Sequence, residues 1–465
     1  MTERSIRERP VALEVPADDL RRGRELRKVT SRKSLGDFVA SERSAVDILL
    51  SQNVSRVQEL VPLRFARMLA NPFAFYRGSA AVMAADLAAG PSGGIEVMSC
   101  GDAHVSNFGM YAAPDRSLVF DLNDFDEAAL APAEWDVKRL ITSAIVGGRH
   151  AGYPPKTVNS IARQAIDGYR AGLDRMLEMP VLDRYYLRAD PDRYHARMSK
   201  DFRAIIDRTM TQARKRTSAR VFERIMTVGA DGTLQLREDR PVLTHLDIDD
   251  ESALIDSVNG YLGGVSADVA VVLSHFRVVD VARRVVGVGS VGTRCYLVIL
   301  VGPSGEPLIL QIKEATRSVI DEYGDRPQSP ILQAAIERRG EGVRVVDGQR
   351  ILQATSDVFL GTMRHDGRDF YVRQFHDMKG SIELDGMQPT AFGDYVTACA
   401  LSLARAHAQS ANTSLLRGYV GDGDTVPDAI ARWSLAYADK SLTDFHQLQA
   451  AARAGDIEVA PEPVR

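Results

Sequence analysis

The chain has 465 residues, 45% of them hydrophobic and 26% charged, with a net charge of −4. That length and apolar content suit a globular protein of two lobes or domains with a sizeable core, and the mildly acidic balance argues against a general nucleic-acid binder, which carries a basic stripe. No run has the apolar length needed to cross a bilayer, and Cys100, Cys295 and Cys399, too scattered for metal-ligand spacing, read as the reduced thiols of a cytoplasmic protein.

Residues 1–35 are rich in Arg, Glu and Pro, with Arg21-Arg22-Gly23-Arg24 and Arg27-Lys28. They predict a mobile basic arm and not a secretory signal, since no apolar core follows the first charges. Helical periodicity covers 54–69 and 79–89. Two short apolar runs, 95–98 and 118–120, then flank the most informative stretch of the chain. It reads Cys100-Gly101-Asp102-Ala103-His104-Val105-Ser106-Asn107, with Leu118-Val119-Phe120-Asp121-Leu122-Asn123-Asp124-Phe125-Asp126 behind it. Phosphoryl transfer from a nucleotide needs these parts. One Asp orients or deprotonates the attacking hydroxyl, an Asn holds magnesium, and another Asp bridges the metal to the phosphates. A lone Asp and Asn would build an ordinary turn just as well; the strand and second acidic cluster supply the context that gives the motif weight.

Helical patterns prevail from Trp135 onward, over 137–147, 157–176 and 192–217, and predict a helical lobe. Residues 228–250 read as loop and short strands, and 252–262 and 273–283 as helix. Residues 284–376 are the strand-rich part. There Gly287, Gly289, Ser290 and Gly292 precede two apolar runs joined by Gly302-Pro303-Ser304-Gly305, and the second run ends at Lys313. The pattern predicts a hairpin of an antiparallel sheet. Its glycines let backbone approach phosphates closely, and its lysine reaches the same phosphates. A dinucleotide-binding domain also uses Gly-x-Gly-x-x-Gly, but opens a helix with it; here a second strand follows. A helix over 341–354, strand-like runs at 357–363 and 369–375, and long helices at 390–409 and 426–452 complete the chain.

The loop at 100–107 and the acids behind it resemble the catalytic segment of aminoglycoside and choline kinases, with Cys100 where that family usually has a His. The Gly-rich hairpin and Lys313 resemble the nucleotide lobe of protein kinases. Their order is reversed, because the catalytic-loop-like segment precedes the Gly-rich hairpin. We therefore expect an α+β, two-lobed, protein-kinase-like fold that is circularly permuted, which is tolerated when the original termini lie close together. Arg64, the stretch 71–78, Cys100-Gly101-Asp102-Ala103-His104, Asp121 to Glu127, Trp135 to Leu140, Gln311-Ile312-Lys313-Glu314-Ala315 and Asp347-Gly348-Gln349-Arg350 are together similar to the bacterial domain-of-unknown-function 2252 family over residues 30–440. That resemblance implies a kinase-like fold and leaves the activity unsettled.

The expected layout is an arm at 1–35, a helical lobe with the catalytic-like segment at 36–283, a nucleotide-binding lobe at 284–380, and C-terminal helices at 381–465. Asp102 is the expected catalytic base, and Asn107 with Asp124 or Asp121 the magnesium ligands. Gly287, Gly289, Ser290, Gly292 and Lys313 are the expected ATP contacts. Glu341 and Asp347 are candidate partners of Lys313, Asp136 an anchor of the loop, His104 a brace or phosphate contact, and Tyr76-Arg77 a substrate-anion contact or a packed pair. The expected function is an ATP- and magnesium-dependent phosphotransferase acting on a small acceptor, with no nucleic acid or membrane partner. An adenylyl transferase on the same fold and a nucleotide-binding regulator without turnover are the alternatives. The sequence names neither the acceptor nor the oligomeric state.

Overall fold

The computed structural model describes residues 16–229, 232–285, 287–375 and 378–461. Its fold is mixed, with antiparallel sheets and long helices. The largest sheet has six strands in the order Gly361–His365, Arg368–Gln374, Pro307–Glu314, Cys295–Val301, Arg277–Arg284 and Leu243–His245. Both of its faces are covered, so the central strand Cys295–Val301 is buried along its whole length. Helix Ile248–Leu262 packs Leu254, Val258 and Tyr261 against Val298, Leu300, Leu310 and Ile312 on one side. Val221, Met226 and Leu236 cover Leu297, Ile299 and Ile309 on the other. Side chains alternate across a strand, so Gln311 and Lys313 fall on the side of Ile309. That alternation aims the lysine away from the covering helix.

The main apolar cluster lies among the helices Ala133–His150, Pro155–Leu177, Pro389–His407 and Thr425–Ala454. Small residues bring two of them close: a Cβ on Gly172 would lie 2.6 Å from that of Ala404. Two short antiparallel pairs, Glu96–Ser99 with Ala129–Pro132 and Phe108–Ala112 with Leu118–Leu122, contribute Val97, Ala131, Phe108 and Phe120 to the same cluster. Gly380 pairs with Met110 and ties the exit of the large sheet to the second of them.

Three expectations are corrected. Residues 277–284 form a strand, not part of a helix, because Val278, Val279 and Val281 are β-branched, and a register shift between Val278 and Asp280 puts Val278 and Val281 on one face and Val279 on the other; the sheet therefore starts before 284. Residues 1–15 of the expected mobile arm lie outside the described residues, but Pro16–Leu26 is a helix docked on helix Thr413–Val420. Gly23 allows that contact, since a Cβ there would lie 2.1 Å from Leu415 O, and Arg27 Nε donates to Tyr419 O at 3.0 Å. The single helix expected over 192–217 is broken, with Pro191–Tyr194 and Lys200–Lys215 separated by a cap at Ser199. Among the described residues no helix is long and apolar enough to cross a membrane. Cys100, Cys295 and Cys399 are buried and unbridged.

Candidate functional site

The loop 100–107 is held by the helix that follows it. Asp136, in the first turn of Ala133–His150, accepts the backbone amides of Cys100 at 2.8 Å and Gly101 at 3.1 Å, and meets His407 Nε2 at 3.2 Å. Burial opposes its charge, but His407, Ser99 and the Cys100 amide hold its pKa below the usual carboxylate range. Gly101 has φ +76°, and a Cβ there would lie 2.1 Å from Glu127 O. Only glycine fits that turn.

Asp102 projects from this loop and pairs with Arg139, whose Nε lies 2.8 Å from Oδ1. Burial lifts the Asp102 carboxyl above its ordinary pKa against the downward pull of Arg139, which makes it a better proton acceptor than a solvated Asp. Among the described residues His104 Nδ1 is buried without a partner, and Nε2 lies 3.7 Å from Asp102 Oδ2. Burial, then Arg77 and Arg139, push the His104 pKa well below its ordinary value, which favours the neutral ring. Asn107 donates its Nδ2 to Asp102 O at 2.7 Å, which leaves the side-chain Oδ1 as an acceptor.

The two candidate acids behind the loop differ in surroundings. Asp121 is 2% exposed, and its oxygens accept the backbone amides of Leu122 at 2.9 Å and Ala354 at 2.8 Å. It joins the strand Leu118–Leu122 to the end of helix Gly342–Leu352. Among the described residues Asp124 accepts only a long 3.4 Å bond from the Asp126 amide, and it faces the cavities described below. Burial and the neighbouring Asp126 raise its pKa.

Lys313 reaches this acidic loop across 187 residues of sequence, with Nζ 2.5 Å from Asp126 Oδ2. Tyr371, its cross-strand neighbour, donates its hydroxyl to Asp126 Oδ1 at 2.6 Å. Burial opposes the lysine's charge, yet Asp126, Tyr371 and Asp124 raise its pKa well above the ordinary value. Burial would likewise raise Asp126, and Lys313 overrides it, so that carboxylate stays ionised. The expected partners of Lys313 are not its partners. Glu341 pairs with Arg344 at 2.9 Å, and neither it nor Asp347 meets the lysine, whose ammonium is taken by Asp126.

A cleft of 680 Å³ opens between the sheet and this loop, lined among others by Asn107, Asp124, Gly287, Ser290 and Lys313. A smaller cavity of 140 Å³ adjoins it and is lined by Asp102, Asp126, Gly289 and Ser290. Gly287 and Gly292 take φ +68° and +87° in the Gly-rich turn, and Gly292 packs on the Arg56 side chain. Gly292 thus shapes the turn, while the other three candidates of that segment face the cavities. Tyr76 is fully buried and donates to Arg139 O at 2.8 Å, a packing role, whereas Arg77 lines both cavities.

Several site residues were not singled out by the sequence. Arg139 was visible only as part of the Trp135-Asp136 segment, and Asp126 only as the last acid of a cluster. Arg373, bonded to Gln311 Oε1 at 3.0 Å, and Lys379 line the cleft opposite Asp124. Burial, then Arg373, push the Lys379 ammonium down to about 7. Both sit downstream of any motif, and no spacing rule would have found them. Among the described residues no group of three or more His, Cys, Asp or Glu side chains is placed to hold a metal ion. A magnesium ion bound by one or two protein groups and completed by phosphate and water oxygens requires no such group. Asn107 Oδ1 and the Asp124 carboxylate, oxygen donors on one cleft wall, fit that mode.

The model of a family described as an uncharacterized protein conserved in bacteria (DUF2252) matches residues 56–451, and the chain belongs to that family. No curated protein and no solved structure matches it.

Proposed function

We propose that this DUF2252 member is an ATP- and magnesium-dependent phosphotransferase of protein-kinase-like, circularly permuted fold, acting on a small-molecule acceptor. The observation that carries the reading is the 2.5 Å contact between Lys313, on the sheet, and Asp126, two positions beyond Asp124. It joins the Gly-rich hairpin to the acidic loop in one cleft. The order of parts supports it further. Counted from Arg277–Arg284, the Gly-rich turn joins the first and second strands, the lysine is on the third, and helix Gly342–Leu352 precedes the fourth. A kinase nucleotide lobe carries its Gly-rich loop, its lysine on the third strand and its next helix in that order. The acidic loop lies upstream in sequence instead of downstream, as a permuted chain would have it. The departure is the lysine's partner, an acid of the loop in place of one on the helix.

In this reading the nucleotide lies in the 680 Å³ cleft, whose apolar wall includes Val272, Phe276, Leu308 and Phe359 and suits a base. Lys313, Arg373 and Lys379 face its phosphates. Asn107 and Asp124 would hold the magnesium, which neutralises charge on the phosphates. Asp102 takes the proton of the acceptor hydroxyl.

The test is incubation with magnesium and a cell metabolite extract, using ATP labelled at either the γ- or the α-phosphorus. Label passing to a metabolite from the γ-position alone is expected. Passage from the α-position would mean adenylyl transfer, and no passage from either would leave a nucleotide-binding role without turnover.

A further inference from the structure

The 140 Å³ cavity has a chemistry of its own. Asp102 lines it and does not line the larger cleft, while Arg77, Asp124 and Ser290 stand between the two and line both. Of the four arginines in its wall, Arg317 pairs with Asp321, and Arg56, Arg64 and Arg77 each have an Nε buried without an acceptor among the described residues. Buried donors are nearly always paired, so three orphans around one cavity need an explanation. Arg64 spends its Nη atoms on Leu49 O, Gln52 and Asn53. Arg56 spends Nη1 on Val291 O at 2.6 Å. For Arg77 no side-chain hydrogen bond or ion pair is made among the described residues.

Four carboxylates of the same wall are committed elsewhere, while Asp124, which attracts Arg77, and Glu322 also line it. Asp102 is paired with Arg139, Asp126 with Lys313, and Glu314 with Arg294 and Arg368. Glu127 accepts the Val319 amide at 2.7 Å, and burial lifts its carboxyl to about 7. Burial also pushes the Arg56 guanidinium down to about 10 and, with Arg56 beside it, Arg64 well below its ordinary value. Three buried Nε donors thus stay unused at this wall, and an anion would satisfy both them and the repulsion between Arg56 and Arg64.

We propose that this cavity is the acceptor subsite, and that the acceptor is a small hydroxylated molecule with an anionic head, a carboxylate or a phosphate, held by Arg56 and Arg77 with its hydroxyl toward Asp102. The proposal rests on the phosphotransferase reading and narrows its acceptor. A volume of 140 Å³ is below the roughly 300–1,000 Å³ of drug-sized pockets, so the molecule is small. In the transfer step the hydroxyl proton passes to Asp102 and the acceptor oxygen bonds to the γ-phosphorus. The bond from that phosphorus to the β–γ bridging oxygen breaks, and ADP leaves with its electron pair. Arg77, between the cavities, faces the phosphoryl group as it crosses, where a cation stabilises the spread charge.

The experiment is calorimetric titration of inorganic phosphate and of acetate into the protein saturated with magnesium and a non-hydrolysable ATP analogue, which fills the larger cleft. One anion per chain is expected, weakened tenfold or more in Arg56→Gln and in Arg77→Gln and retained in Arg56→Lys. Arg56→Lys also keeps the charge that braces the Gly-rich turn, so loss of fold in Arg56→Gln alone would leave the comparison with Arg77→Gln decisive. The stronger of the two probes identifies the head group. Failure of both anions to bind, equal binding by the Gln variants, or displacement of the anion by the analogue would overturn the subsite and leave the nucleotide reading standing. Arginine-dependent anion binding by a protein that does not bind the analogue would uphold the anion site and sink the nucleotide reading.

Discussion

Removing Lys313 tests the link between the sheet and the acidic loop. Its side chain is 4% exposed and that of Asp126 is 25% exposed, at a separation of 2.5 Å. Deleting one partner of a buried pair costs about 3–5 kcal/mol, because the other charge is left uncompensated. Here the partial exposure of Asp126 and the retained Tyr371 hydroxyl lower the expected cost of Lys313→Met to about 2–3 kcal/mol. Asp126→Asn should cost a similar amount by stranding the ammonium. The double variant should be less destabilised than the sum by about 2 kcal/mol, within the range of directly contacting pairs. The pH dependence has a definite sign. Lys313 depresses the folded pKa of Asp126, so the wild-type pair contributes stability above the unfolded carboxylate value of about 3.9 and loses it as pH falls further. In Lys313→Met the carboxylate stays buried beside Asp124, its pKa rises, and protonation relieves the cost. The stability gap between the two proteins should therefore be widest at neutral pH and close toward pH 4. Urea unfolding of the four proteins at several pH values measures this. Additive single effects, or a gap indifferent to pH, would refute the idea that this pair joins the two parts of the site.

Three further outcomes follow from the same geometry. Asp102→Asn should keep nucleotide affinity while transfer is lost, since shape is retained and the base is not; transfer equal to wild type would reduce the loop to a structural turn. Asp121→Asn should lower stability by about 1–3 kcal/mol, because an amide nitrogen is set against a backbone amide, whereas Asp124→Asn should fold normally and lose the magnesium dependence of thermal stabilisation by ATP. Nucleotide binding at pH 8 should take up protons as phosphates restore charge to Lys379, held near 7 in the free protein; binding heats that vary with buffer ionisation enthalpy report it, and Lys379→Met should abolish the variation.

The acidic loop was legible because its residues lie within one short stretch and their chemistry is local. The hairpin carrying Lys313 was legible for the same reason, through two apolar runs and a Gly-Pro-Ser-Gly turn. The strand Arg277–Arg284 was not, because the sheet is covered on both faces and Arg-flanked valines fit a helical period as well as a pleat. The docking of Pro16–Leu26 was hidden by its charge: its affinity for helix Thr413–Val420 comes from Gly23 and from arginines donating to carbonyls, which a composition reads as solvated. Arg139 and Arg373 escaped because an arginine on a helix or strand carries no code for the carboxylate that tertiary packing will bring to it.

The partner of Lys313 illustrates the deepest limit. The expectation of an acid on the following helix came from analogy with kinases. In this chain that helix, Gly342–Leu352, is committed to other contacts. Arg344 donates to Ala128 O at 2.8 Å and Thr316 O at 2.6 Å, and a Cβ on Gly348 would lie 2.5 Å from that of Ala128. The helix is thereby fixed against the segment just beyond Asp126, with its Val345, Val346 and Leu352 in the same apolar cluster as Tyr371. The register that sets Lys313 opposite Tyr371 instead delivers both side chains to one carboxylate of the acidic loop, Asp126. A helix that bears the lysine's partner can switch a site by swinging away. A partner borne by the loop that also carries Asp124 gives no such switch, and ties the six-stranded sheet directly to the acidic loop. If the phosphotransferase reading holds, control of this protein would have to act through access to the two cavities and not through the pairing of its lysine.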